Sequence, residues 1–219
     1  MPDLPPLATL LIVALLGVFL VFALGTQRNI RKGNELLSWL QGGLPLLGAR
    51  TSLRWLGSTA AILTIREAKD PFRETELVVV LKPRDVTVLW AWARAKGRED
   101  FVILRGRLRG APRFELEAGD RRGWTGMERM RRLDLETWLE GDWGDPNVKV
   151  AHSGDADSAL ARRAWDDLNA ASGGVWRLSV RRDNPHLEVH VLPPDTASVP
   201  ADRLVEAFRS LARSVARKS

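Results

Sequence analysis

The chain has 219 residues, enough for one sizeable hydrophobic core or two small ones, and its 33 Lys and Arg against 27 Asp and Glu give a net charge of +6. It contains no cysteine, which excludes disulfide bonds, thiol catalysis and cysteine-bound metals. The basic balance favours anionic partners such as lipid headgroups, nucleic acid or an acidic protein. Because 27 of the 33 cations are arginine, codon bias in a GC-rich genome is the alternative explanation.

An uncharged run, Leu4–Gln27, precedes every basic residue. Within this run, residues 7–25 are almost wholly Leu, Val, Ala and Phe. As a helix, these 19 residues would be about 28 Å long, close to the hydrocarbon thickness of a bilayer. The run predicts a transmembrane helix over residues 5–25, preceded by a short extracytoplasmic N-terminus, residues 1–4.

A cleaved signal peptide is the alternative to a membrane anchor. The small residues of Ala23-Leu24-Gly25 would suit a signal peptidase, but the N-terminus carries Asp3 and lacks the usual Lys or Arg. Arg28, Arg31 and Lys32 follow the apolar run at once, as a stop-transfer flank does. Because cytoplasmic flanks are enriched in cations, these three residues predict a single-pass protein of the cell membrane whose C-terminal part is cytoplasmic.

Residues 26–48 are predicted to form a basic juxtamembrane and amphipathic segment. Its Leu residues and Trp39 are spaced as on one side of a helix, which Gly42, Gly43 and Pro45 then interrupt. Two placements of the segment are open. Trp39 could lie among lipid headgroups, or the segment could pack against the domain that follows.

Residues 49–219 are predicted to form a cytoplasmic α+β domain of mixed strands and helices. The strand-like runs of its first half are Thr51–Leu56, Ala60–Arg66 and Leu77–Leu81. Its second half contains a helix capped by Asp155 or Asp157, two alternating strands, and a final amphipathic helix that begins at Pro200.

A shift of 73 residues superposes the two halves, residues 49–140 and 148–217, with Trp92 on Trp165 and Arg109 on Arg182. The match is consistent with a tandem β-α-β-β-α duplication, although so few identities also arise by chance. In the first half this pattern predicts a helix over residues 85–96, which is also strand-prone, then a hairpin of residues 101–109 and 113–118. A helix over residues 127–139 would complete the unit.

Four arginines are the candidate site for an anionic partner. Arg105, Arg107 and Arg109 alternate along one predicted strand, so their guanidinium groups share a face, and Arg113 follows the turn. We expect this cluster to bind anionic lipid headgroups or an acidic membrane or cytoplasmic protein. Nucleic acid is disfavoured because no aromatic residues lie between the arginines. The alternative is a solvated face, neutralised across the hairpin by Glu115 and Glu117.

Two of the nine tryptophans, Trp138 and Trp143, lie in the acidic stretch Asp134–Asp145. Large aromatic side chains contribute strongly to protein interfaces. We therefore predict that these two indoles form a patch that faces a partner.

Two further motifs are weak candidates for chemistry. In the stretch His186-x-Glu188-x-His190, the histidines of an extended strand would be about 13 Å apart, too far for one metal ion. We interpret this stretch as a solvated sheet face, and we predict no metal and no cofactor. His152 to Asp155 lies where a strand meets a helix, but it lacks the glycines and lysine of a phosphate loop.

These observations favour a non-catalytic binding or scaffolding domain held at the inner membrane surface. The alternative is an enzyme that acts on a membrane-associated or phosphorylated substrate, for which His152, Asp155 and Asp157 are the residues to test first. A nucleic-acid-binding or anionic-lipid-binding module is a further alternative.

Overall fold

The computed structural model describes residues 6–127, 130, 138–153 and 156–216. Its elements in these ranges are, in chain order, α1 Pro6–Gln41, α2 Leu44–Leu47, β1 Thr51–Leu56, β2 Ala60–Ile65, β3 Phe72–Val80, α3 Thr87–Ala95, β4 Phe101–Leu108, β5 Leu116–Asp120, β6 Leu139–Gly141, β7 Val148–His152, α4 Ser158–Ala170, β8 Val175–Val180, β9 Leu187–Val191 and α5 Ala201–Val215.

The nine strands form one sheet in the order β1-β2-β3-β4-β9-β8-β5-β7-β6, and every neighbouring pair is antiparallel. One long apolar N-terminal helix precedes this sheet, and helices pack against it. The α+β class is therefore confirmed.

The predicted hairpin between β4 and β5 is wrong. Strands β9 and β8 lie between them in the sheet. After β4 the chain passes the C-terminal end of α5 before it returns to the sheet as β5. At this end of α5, Arg113 N donates to the Val215 carbonyl, and Pro112 bridges to Ala216. In the second half β8 and β9 do pair, so the strand pairing of the halves differs and the duplication stays a prediction. Both halves contribute to one core.

The core lies between one face of the sheet and helices α4, α5 and the second half of α1. The predicted stripe of α5 is buried, and its Phe208 stacks on Phe72 of β3 with the ring centroids 5.2 Å apart. Helix α4 is also as predicted, with the Asp157 side chain accepting a hydrogen bond from Leu160 N at 2.9 Å. Asp155, the other predicted cap, lies outside the described residues.

Two expectations about the first half have different outcomes. Residues 87–95 form helix α3, so the helical interpretation of this segment is confirmed over the strand. The helix predicted over residues 127–139 lies largely outside the described residues, and its last residue, Leu139, begins strand β6.

The juxtamembrane segment continues the apolar helix without a break. Helix α1 has 36 residues and is about 54 Å long. Leu36 and Leu40 in its second half are fully buried in the core, and Trp39 Nε1 donates to the Val199 carbonyl at 2.8 Å. The segment therefore packs on the domain, and the helix ends only before Gly42-Gly43.

Candidate binding surfaces

The first half of α1 makes an exposed apolar rod. From Leu7 onwards this helix is long and apolar enough to cross a membrane, with a mean hydropathy of 3.0 in its most apolar window, and no residue of that window is buried. Large side chains such as Leu11, Phe19 and Leu20 are 61–62% exposed. A core helix of a soluble domain would bury this surface, because exposed apolar area of this size is unfavourable in water.

The second half of α1 contacts the domain along one helical stripe, formed by Gly25, Asn29, Gly33, Leu36 and Leu40. The spacing of four, four, three and four residues keeps these positions on one face of a helix. The two glycines allow close approach, since a Cβ atom on Gly33 would lie 2.4 Å from the Trp55 ring. The sequence predicted the Leu residues of this stripe as one side of an amphipathic segment, but Gly25, Asn29 and Gly33 were missed, although small residues at helical spacing were a usable signal.

A polar clasp joins α1 to the loop between β3 and α3. Asn29, which is fully buried, accepts a hydrogen bond from Arg84 Nη1 at 3.1 Å. Arg84 Nη2 also contacts Asp100 Oδ2 at 2.6 Å, and Asp100 Oδ1 accepts from the Lys82 backbone N. Charge-assisted hydrogen bonds of this kind fix orientation. The clasp sets the angle between α1 and the end of the sheet where α3 lies.

The predicted membrane flank lies next to this clasp. Arg28 and Arg31 are exposed, and Lys32 pairs with Glu35 at 3.0 Å. Arg28 lines a shallow groove between α1 and α3, together with Val21, Leu24, Gly25, Arg84, Thr87 and Trp90.

Arg105 and Arg107 lie on the sheet face opposite the helices, because the Gly106 between them faces Phe72 and Phe208. Arg105 Nε donates to Glu188 Oε2 at 2.8 Å, and Glu76 is 4.0 Å away. Arg107 pairs in register with Glu74. The acids beside these arginines are therefore on β3 and β9, and the expected neutralisation by Glu115 and Glu117 is wrong, since β4 does not pair with β5.

The other two candidate arginines lie elsewhere. Arg109 Nη2 donates to the Ala68 carbonyl at 3.3 Å and is 3.8 Å from Asp70, in the loop between β2 and β3. Arg113 Nη2 donates to the Ser214 carbonyl of α5 at 2.8 Å. The four guanidinium groups thus occupy three separate places rather than one patch.

A buried ionic network crosses β5, β8 and β9. Glu117, with no exposed side-chain surface, accepts hydrogen bonds from Arg177, Ser179 and Arg181. Arg177 Nη1 also contacts Glu188 Oε1 at 2.6 Å. Burial works to lower the pKa of Arg177, yet the hydrogen bonds and charges of the two carboxylates raise it. The network ties three strands together.

Glu188 is the acid that links this network to Arg105 and His190. Burial alone would raise the pKa of Glu188, but the hydrogen bond and charge of His190, with Arg177 and Arg105, outweigh it and lower the pKa to about 2. The Glu188 carboxylate of the folded protein is therefore ionised except at strongly acidic pH.

The prediction of a solvated sheet face for His186 and His190 is wrong for His190. His190 is 5% exposed, with Nδ1 at 2.8 Å from Thr125 Oγ1, since residues 121–127 cover this part of the sheet. His186 Nδ1 instead accepts from Leu108 N at 2.9 Å, and burial together with Arg107 lowers its pKa. Among the described residues, no group of three or more His, Asp or Glu could hold a metal ion.

Trp143 corrects the predicted partner patch. Its side chain is 4% exposed, its ring packs edge-on against Trp165 with centroids 5.8 Å apart, and its Nε1 donates to Ser158 Oγ. It closes the core at the start of α4 and is not available to a partner. Trp138 is partly exposed, and the Arg181 guanidinium lies over its ring at 4.3 Å.

Two of the three residues named for catalysis, His152 and Asp157, lie in the described part of the chain. His152 ends β7, and its Nδ1 is buried without a hydrogen-bond partner among the described residues. The Asp157 carboxylate is used as the cap of α4. Gly154 and Asp155 lie outside the described residues.

Comparison of the chain with models of known protein families gives no match, and comparison with curated proteins gives none either. Function is therefore to be inferred from α1 and from the surfaces that surround it.

Proposed function

We propose that this chain is a single-pass protein of the cell membrane. Residues 5–25 span the bilayer, residues 1–4 are extracytoplasmic, and the cytoplasmic domain, residues 49–219, is a non-catalytic module that binds or scaffolds another molecule.

The observation that carries the proposal is the division of α1 into two halves of opposite environment. Residues 7–24 are apolar and exposed or nearly so, whereas Leu36, Leu37 and Leu40 of the same continuous helix are buried in the domain. Exposed helix of this composition is stable in hydrocarbon and costly in water. A signal peptidase would have to cut inside this helix, beside Gly25, which contacts the folded domain.

The orientation follows from charge. Arg28, Arg31 and Lys32 stand directly after the apolar half, and all other cations of the chain follow them. Under the positive-inside rule this end of the helix lies in the cytoplasm.

A binding role is favoured over catalysis because the buried ionic network, and Asp157 among the residues named for catalysis, serve the fold. Glu117, Arg177 and Glu188 hold strands together, and Asp157 caps a helix. Surface contacts therefore offer more to a partner than any cluster of reactive groups among the described residues.

Among the candidate arginines, Arg109 is positioned to bind an acidic cytoplasmic partner rather than lipid. Gly25 contacts Arg84 and Asp85 at one end of the sheet, whereas Arg109 contacts Ala68 at the other end. Between Gly25 and the end of α1, the helix extends about 24 Å along the sheet. Arg109 would therefore face away from the bilayer, beyond the Debye length that limits attraction to headgroups.

The cysteine-free chain allows a direct test of topology. One variant carries Asp3→Cys and another carries Ala111→Cys, at an exposed loop residue. A membrane-impermeant maleimide should label residue 3 in intact cells and residue 111 only after the membrane is permeabilised. Labelling of residue 111 in intact cells, or recovery of the chain in the soluble fraction, would overturn the proposal.

A further inference from the structure

Helix α3 presents an apolar face that no described part of the chain covers. Val88 is 78% exposed, Trp92 55% and Leu89 50%, and these positions lie within one arc of the helix. Only Ala93 of this helix is buried against the domain. A contiguous exposed apolar face that includes an indole is the mark of an interaction site.

The position of α3 beside α1 defines what can cover this face. Thr87 and Trp90 line the groove that α3 shares with Val21, Leu24 and Arg28. These α1 residues are the last of the apolar half and the first of the basic flank. Helix α3 is therefore at the level where the hydrocarbon ends and the headgroups begin, if α1 crosses the bilayer.

The charged residues around α3 are of the kind found in the headgroup layer of a bilayer. Arg94 and Lys96 are exposed on its last turn and just after it, and Arg94 lies over the Trp90 ring at 5.8 Å. On α1, Arg28 lines the groove shared with α3, and the exposed Arg31 follows it about one turn later. Amphipathic helices that lie in a bilayer interface combine Trp and Leu on one side with Lys and Arg on the other.

The turn between β1 and β2 lies next to α3, which is consistent with the same position at the bilayer interface. Ser58 Oγ, between β1 and β2, donates to the Asp85 carboxylate just before α3. Leu56, which precedes this turn, is 46% exposed. The turn and α3 therefore form one end of the domain, and this end carries apolar side chains on its surface.

We propose that α3 is a second membrane contact, lying in the interface of the bilayer that α1 spans with Val88, Leu89 and Trp92 inserted among the lipids. This inference rests on the membrane anchor proposed above. The partner is the lipid bilayer itself, because α3 lies beside the end of the apolar half of α1 and carries cations on and just after its last turn. Because α1 and α3 would both contact the bilayer, they would fix the orientation of the sheet relative to the membrane, with Arg109 directed away from it.

Single-cysteine variants of the full chain test this contact in vesicles that contain anionic lipid. Val88→Cys, Leu89→Cys and Trp92→Cys each receive an environment-sensitive fluorophore. Leu16→Cys reports the anchor, and Ala111→Cys is the control in water. Fluorescence is quenched either from the bilayer, by nitroxide-labelled lipid with a shallow or a deep label, or from the water, by iodide.

We expect the α3 fluorophores to lose emission to the shallow nitroxide and to resist iodide, while residue 16 responds to the deep nitroxide and residue 111 to iodide. If residue 16 responds as expected but the α3 positions are quenched by iodide, the α3 contact is overturned and the anchor stands. Protection from both quenchers would mean that a second copy covers α3, which also overturns the contact. Quenching of residue 16 by iodide would overturn the anchor and the α3 contact together.

Discussion

Gly25 and Arg84 approach so closely that a Cβ atom on residue 25 would lie 2.1 Å from the Arg84 carbonyl oxygen. Such a separation is far below van der Waals contact, and both partners are backbone, so neither can move aside without displacing an element. The contact joins the end of the apolar half of α1 to the loop that leads into α3. It is the point at which the proposed anchor becomes part of the folded domain.

Enlarging residue 25 should separate α1 from the β3–α3 loop. We expect Gly25→Val to lower the free energy of unfolding by about 1–3 kcal/mol through overpacking. Unfolding in mild detergent, followed by circular dichroism, measures the change. The matched control is Gly17→Val in the same helix, where no atom lies within 4 Å of the added Cβ, and it should leave stability unchanged. Equal effects of the two variants would contradict the packing.

Removing Asp100 should weaken the clasp, because Arg84 then keeps only its hydrogen bond to Asn29. The Arg84 and Asp100 side chains are 22% and 12% exposed, so the loss is larger than for a surface pair. We expect Asp100→Ala to cost about 1.5–3 kcal/mol. Glu99→Ala removes the more exposed partner of Lys82 and is expected to cost less than about 1 kcal/mol. A larger loss for Glu99→Ala in denaturant titration would contradict this assignment.

Glu188 should give the protein a specific sensitivity to acid. Its pKa is about 2 in the folded chain against an ordinary value of 4.5. As the pH falls below 4.5, the unfolded chain takes up this proton first, so the free energy of unfolding decreases until about pH 2. The difference between the two pKa values corresponds to about 3 kcal/mol.

The measurement is the free energy of unfolding as a function of pH. Glu188→Gln should be less stable at neutral pH, because Arg177 and Arg105 lose a partner, and its stability should fall less steeply between pH 4.5 and 2. Glu206→Gln, at an exposed position of α5, is the control and should follow the parent curve. The same acid slope in Glu188→Gln and in the parent would contradict the role given to Glu188.

Replacing each of the two tryptophans of the predicted patch should lower the free energy of unfolding by different amounts. Trp143→Ala removes a buried ring and is expected to cost about 3–5 kcal/mol. Trp138→Ala loses a partly exposed ring beneath Arg181, a contact of about 1 kcal/mol. Thermal unfolding of both variants measures the difference. A Trp143→Ala variant as stable as the parent would mean that this indole is not part of the core.

Local patterns predicted much of this fold. The stripe of α5, the cap of α4 and the pairing of β8 with β9 follow from residues near one another in sequence, where periodicity and turn chemistry decide the structure. The pairing of β4 was missed because its partners, β3 and β9, are chosen by long-range contacts. No local pattern indicates that the segment after Arg109 contacts the C-terminal end of α5.

The candidate surfaces were predictable to a smaller extent. Uncharged composition alone identified the apolar half of α1, since transfer to hydrocarbon depends on composition. The Leu residues of the buried stripe in its second half were predicted, whereas its earlier positions were missed because Gly25 and Gly33 carry no hydrophobic signal. Trp143 was placed on the surface because its acidic neighbours are polar, whereas its own ring fits the end of α4.

The intact mass of the chain purified from membranes tests the central claim most directly. If α1 is one helix that both anchors and folds, the membrane-bound protein retains residues 6–25 and its mass includes them. A mature chain that begins at Thr26 and is recovered in solution outside the membrane would contradict the anchor and, with it, the membrane contact of α3.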